Sequence, residues 1–270
     1  FSITNSTGRS HTAATFTLTS KLDFGMGMAR PVMQGYFNPN RSGHGMFLSQ
    51  ADSAWALVWY TYLEDGSPTW YLAANSAPTG NDGVWRAPLY RLTWNGSVSY
   101  ADVVGEVLLT FESASRFTFS WLLDGQYGSE PFQMAASPSC PSVGGAPVSY
   151  SGAWANPAES GWGFSVTAVS VAEADAAYVF DSAGVARWLL GVTTTPGAAV
   201  TIPLLQHRGF CPTCAFSGVT TSQAGTLTRN YANKAGGTAT INIGWLQGVP
   251  GTWARSNATQ QKITVDMPCQ

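Results

Sequence analysis

Cys211-Pro212-Thr213-Cys214 follows His207 by four positions, and two thiolates with an imidazole are zinc-ligand chemistry. No fourth ligand stands nearby, and a disulfide within a loop accounts for the pair more simply, so the sequence assigns no metal and no cofactor. Serine acyl transfer would need Ser, His and Asp brought together. The chain offers only His11, His44 and His207, none beside a nucleophile elbow, and Ser42-Gly43-His44 reads as a turn. Glycoside hydrolysis needs two carboxyls at a set separation across a groove. Glu64, Asp65 and Asp124 fall in turns, Glu106 and Glu112 share a strand face, and no pair stands out. No catalytic residue is assigned.

Binding chemistry is better represented. Asn38-Pro39-Asn40-Arg41-Ser42-Gly43-His44-Gly45 returns as Asn156-Pro157-Ala158-Glu159-Ser160-Gly161-Trp162-Gly163. If the octet were a site, Asn38, Ser42, Asn156 and Ser160 would point into the mouth of a barrel and orient a small ligand. If it were a corner, Pro would hold the preceding Asn extended, Ser-Gly-x-Gly would supply positive φ, and Asn and Ser would cap loose backbone groups. Arg41 and His44 become Glu159 and Trp162 in the second copy, which favours the corner.

The elements carrying these residues are strands. Of 270 residues only 10% are charged, 44% are hydrophobic, 29 are Gly and 11 are Trp, a composition suited to pleated surfaces with tight turns. A net charge of -2 with 13 Lys plus Arg provides no basic stripe for nucleic acid. No apolar run reaches the ~18 residues of a membrane helix. A chain beginning at Phe1 is expected to have lost any secretory signal. Cys140 and Cys269 lie near the two ends of the second half. A bridge between them would be worth about 5 kcal/mol by chain entropy, with Cys211 and Cys214 pairing locally; paired cysteines favour a secreted, cell-surface or periplasmic setting. Sequons begin at Asn5, Asn40, Asn95 and Asn257 and matter only in a glycosylating host.

The two octets start 118 positions apart (156 − 38 = 118), and that offset holds without a gap over residues 36–70 and 154–188. Tyr60 meets Tyr178, Tyr62 meets Phe180, Gly66 meets Gly184, Trp70 meets Trp188 and Leu72 meets Leu190, an internal duplication. Residues 33–136 form one expected domain and 148–270 the other. Residues 137–147 link them, and 1–32 form an N-terminal extension in which Ala14–Leu22 alternates like a strand. In the first copy, strands are expected at Gln34–Phe37, Met46–Gln50, Trp55–Leu63, Thr69–Asn75, Val84–Leu92, Val103–Glu112, Arg116–Leu123 and Glu130–Met134, separated by hairpin signals such as Asn95-Gly96 and Asp124-Gly125. The second copy carries an irregular excursion over Gln206–Asn230. The fold class is therefore all-β: two related antiparallel eight-stranded up-and-down barrels, with β-sandwiches as the alternative.

The octet followed by Trp59-Tyr60-Thr61-Tyr62, Gly66, Pro68 and Trp70-Tyr71 resembles a poorly characterised repeat module of secreted and cell-surface proteins of Gram-negative bacteria. The second copy departs from it with Ala177 and Ala186. The resemblance implies an extracellular setting and no established activity. More loosely, Gly152-Ala153-Trp154-Ala155-Asn156 followed by Ser160 resembles the first hairpin of avidin-like barrels, whose Asn and Ser touch ligand; one residue is inserted here.

Alternation then assigns faces. Tyr60 and Tyr62 persist as Tyr178 and Phe180 and are expected in the core. Trp55, Leu57, Trp59 and Thr61 give way to Glu173, Asp175, Ala177 and Val179, so Trp55, Trp59 and Tyr71 are expected on the outer face of the first domain. Two Trp four apart along a strand are about 13 Å apart, fit to stack on sugars or dock a partner; packing of this face against the second domain is the alternative. The expected function is an extracellular, non-catalytic binding or adhesion protein for a glycan or protein. A secreted hydrolase acting on a polymer and a self-associating structural subunit are the alternatives.

Overall fold

The structure, a computed structural model, describes residues 2–4, 10–12, 29–79, 82–246, 248–267 and 269. Ser2–Thr4 (β1) and Ser10–Thr12 (β2) pair as a hairpin; the strand expected at Ala14–Leu22 lies outside the described residues. Eight strands follow in simple succession: Gly35–Phe37 (β3), Gly45–Ala51 (β4), Ala54–Tyr62 (β5), Pro68–Ser76 (β6), Val84–Trp94 (β7), Ser99–Ser113 (β8), Arg116–Leu123 (β9) and Gln126–Met134 (β10). Each pairs antiparallel with the next, and β10 closes on β3 through Gln133–Phe37 and Met134–Tyr36. The β9–β10 turn, Asp124-Gly125, takes positive φ at both residues, the backbone a tight two-residue hairpin requires.

Between the barrels, Ser142–Val143 (β11) and Ala146–Pro147 (β12) form a small hairpin. The second closed barrel comprises Gly152–Asn156 (β13), Glu159–Ala168 (β14), Glu173–Phe180 (β15), Ala186–Thr193 (β16), Ala199–Arg208 (β17), Thr220–Tyr231 (β18), Gly236–Gly244 (β19) and Thr252–Lys262 (β20). The irregular excursion expected over Gln206–Asn230 is confined to residues 209–219, since β17 and β18 pair on both sides of it. Disulfides join Cys140 to Cys269 and Cys211 to Cys214, which fits an oxidising compartment. No helix among the described residues is long and apolar enough to cross a membrane.

The face assignment is reversed in the structure. Trp55, Trp59 and Tyr71 are 1%, 0% and 4% exposed and fill the first barrel with Leu57, Trp85, Phe119 and Trp121. The inference failed at Glu173 and Asp175, which replace Trp55 and Leu57 and are also fully buried inside their barrel. Arg229 makes this tolerable. Its guanidinium pairs with Glu173, lies 3.3 Å from Asp175 Oδ2, and sits 4.2 Å from the Tyr231 ring centroid. Burial raises the Asp175 pKa well above the usual carboxylate range and lowers that of Arg229, because a dry interior disfavours charge.

The face that both copies share is where the barrels meet. Tyr60 packs on Trp188 with ring centroids 5.2 Å apart, and its counterpart Tyr178 packs on Trp70 at 5.7 Å. Tyr62–Trp188 and Phe180–Trp70 repeat the match, each at 5.7 Å. Trp188 Nε1 donates to the Thr61 carbonyl at 2.8 Å and Trp70 Nε1 to the Val179 carbonyl at 3.4 Å. The Trp94 amide donates to the Gly184 carbonyl, and the Gly209 amide to the Gly66 carbonyl. Each of these contacts has a partner at the 118-residue offset or close to it, the signature of a self-complementary interface about a two-fold axis. Arg187 breaks the symmetry: it pairs with Asp181 and donates across the seam to Ser67 Oγ and the Pro68 carbonyl.

Candidate functional site

The octets are corners that press on the opposite barrel. Asn38 Oδ1 accepts from the Asn40 amide at 2.8 Å, and Asn156 Oδ1 from the Ala158 amide at 3.0 Å, so each Asn closes its own turn. Gly43 and Gly161 take φ of 109° and 91°, and a Cβ on either would strike Val219 or the Trp94 ring of the other barrel. Positive φ and close approach both demand glycine. Ser42 and Ser160 are exposed.

What the corner presents to the seam is the residue between its two glycines. Two clefts flank the aromatic seam, one of about 420 Å³ and one of about 230 Å³, and they are pseudo-twofold equivalents. Tyr36, His44, Tyr60, Trp188 and Leu190 in the larger correspond to Trp154, Trp162, Tyr178, Trp70 and Leu72 in the smaller. None of Asn38, Ser42, Asn156 or Ser160 lines either cleft, and Trp55, Trp59 and Tyr71 are likewise absent from both. The larger cleft has His44 where the smaller has the bulkier Trp162.

His44 is held tightly. Its Nε2 lies 2.9 Å from Glu130 Oε2, and Phe132 and Phe210 pack edge-on to its ring. Glu130 also accepts from Asn38 Nδ2 at 2.7 Å and pairs with Arg41, which reaches on to the Pro212 and Cys214 carbonyls. Burial pushes the Glu130 carboxyl up, but His44, Asn38 and Arg41 outweigh it and hold the pKa below the usual range. The Nε2 contact with Glu130 has ion-pair distance without hydrogen-bond geometry, and His44 Nδ1 has no polar partner among the described residues.

Across the cleft, His207 stacks on Trp188 at 4.9 Å, and its Nδ1 lies 3.1 Å from the Leu205 carbonyl. A carbonyl can only accept, so Nδ1 carries the proton and Nε2 of the neutral ring is an acceptor. Burial depresses this pKa and keeps the ring neutral. Ser165 Oγ shares a hydrogen bond with Tyr178 Oη at 2.8 Å, and Glu173 is turned to Arg229. The cleft thus offers apolar walls, aromatic faces and two imidazoles, and no activated nucleophile on its lining residues. Among the described residues no group of three His, Cys, Asp or Glu could hold a metal ion.

Sequence reasoning missed His44, His207, Tyr60 and Trp188 as site residues. A usable signal existed for the two aromatics: they persist between copies on a face opposite to the one that fills the barrel. No family model matches the chain, and no curated protein or solved structure matches it.

Proposed function

We propose that the protein is a secreted, non-catalytic binding protein that takes a compact, largely apolar ligand in the cleft between its barrels. The ligand lies against the apolar walls of the cleft, and His44 and His207 hydrogen-bond a polar group on it. The observation that carries this reading is that one of two matched clefts is nearly twice as large and holds two imidazoles, with His44 where the smaller cleft has Trp162. Its volume of about 420 Å³ lies within the usual range for small-molecule sites, as does the pattern of apolar walls with few polar groups. The two disulfides support the extracellular setting.

The test is titration with the neutral apolar fluorophore N-phenylnaphthylamine. The expected result is saturable one-to-one binding that quenches tryptophan emission and is lost in His44→Trp, which fills the larger cleft as the smaller is filled. Binding unchanged in His44→Trp with the circular dichroism intact, or no binding by the wild type, overturns it.

A further inference from the structure

The first barrel has an open end that the seam does not explain. A recess of about 250 Å³ there is lined by Tyr71, Trp121, Leu123, Arg91, Asp124 and Gln126, with Glu64 at its edge. Residues Cys211, Pro212 and Thr213 of the second barrel reach across to complete its wall. That loop is fixed by its own disulfide and by Arg41, which donates to the Pro212 carbonyl at 3.2 Å and the Cys214 carbonyl at 2.9 Å.

We propose that this recess is a second binding site, for one neutral polyhydroxylated ring such as a monosaccharide unit. Trp121 is 5% exposed, and its Nε1 is buried without a hydrogen-bond partner among the described residues. A buried N–H left unmet is a standing cost to the fold, which a ligand oxygen reaching it from the recess would relieve. Tyr71 and Trp121 give the floor aromatic carbon for the C–H face of a ring.

Charge then narrows the class. Arg91 and Asp124 pair across the rim, the Arg91 guanidinium lies 6.0 Å from the Tyr71 ring centroid, and Glu64 and Gln126 are exposed. An anion entering would meet Asp124 and Glu64, and a cation would meet Arg91. Hydroxyls satisfy both, accepting from Arg91 and Trp121 and donating to the carboxylates. The volume admits one ring and excludes a polymer lying flat. The second barrel has Leu189 where the first has Tyr71 and cannot offer the same floor.

The experiment uses the full chain labelled with nitrogen-15 at tryptophan, titrated with glucose, galactose, mannose, N-acetylglucosamine and myo-inositol, and with choline and acetate. The expected result is a saturable shift of the Trp121 indole N–H with at least one neutral compound. Arg91→Ala should weaken it at least five-fold, whereas saturating the interbarrel cleft with N-phenylnaphthylamine leaves it unchanged, which separates the two sites. Arg91 sits on the exposed rim, so its loss leaves the fold intact. No shift with any neutral compound, a shift that survives Arg91→Ala, or tighter binding of choline or acetate overturns the proposal.

Discussion

Trp188→Ala tests whether the seam, and not the linker, makes one body of two barrels. Trp188 is 1% exposed, touches Tyr60, Tyr62 and His207, and donates to the Thr61 carbonyl. Burying a Trp removes about 150–250 Å² from water, which at ~25 cal/mol per Å² is worth about 4–6 kcal/mol. Measured Trp-to-Ala losses of about 3–5 kcal/mol agree, and the stranded Thr61 carbonyl adds about 1 kcal/mol. Trp70→Ala should cost less, since Trp70 is 8% exposed and its hydrogen bond is 3.4 Å long. In guanidinium unfolding followed by fluorescence and circular dichroism, the wild type should show one coincident transition. Trp188→Ala should lose about 4 kcal/mol and split into two, because barrels without the seam unfold independently. Trp59→Ala, inside the first barrel, should shift that barrel's transition alone once the seam is cut. A Trp188→Ala loss under about 1 kcal/mol, with one transition retained, would refute the seam as the energetic link.

Arg229→Met should destabilise by about 3–5 kcal/mol, because Glu173 and Asp175 then share a dry interior with no cation. Replacing all three with apolar residues of similar volume should restore most of that loss in the same denaturation assay. Acid should weaken the fold in two stages. The His207 pKa is depressed, so its unfolded form takes a proton first as pH falls below 6.5, and stability declines from there towards its lower folded value. The Glu130 carboxyl is also depressed, so its contribution is whole above pH 4.5 and disappears as pH falls through its folded pKa. Glu130→Gln should flatten the lower limb of the midpoint-versus-pH curve, and an unchanged limb would remove Glu130 from this account.

The barrel architecture was legible because turn chemistry and strand alternation are local. Asp124-Gly125 and Asn95-Gly96 punctuate the chain where hairpins occur, and eight strands in succession leave closure as the way to pair both edges. The facing of those strands was not legible. Persistence between copies marks the core only of an isolated barrel, whereas Tyr60, Tyr62, Trp70 and their counterparts persist because each must fit the other copy. Glu173 and Asp175 read as barring an interior, yet both are buried in the second barrel. Their neutralising partner Arg229 lies 54 positions beyond Asp175, on β18, where no short-range pattern points. The cleft was hidden for the same reason, since His44 and His207 meet only when one barrel docks on the other.

The two-fold relation across the seam has a consequence for what duplication within one chain permits. A single barrel pairing with a second copy of itself would build the same tyrosine–tryptophan contacts, but its two grooves would be chemically identical by symmetry. Any change made to improve one would be imposed on both. Joining the copies in one polypeptide removes that constraint. The chain can keep a bulky indole as a plug on one side, at Trp162, and open the other around His44. Specialisation here is a property of covalent linkage, and its plainest mark is the residue held between the two glycines of each corner.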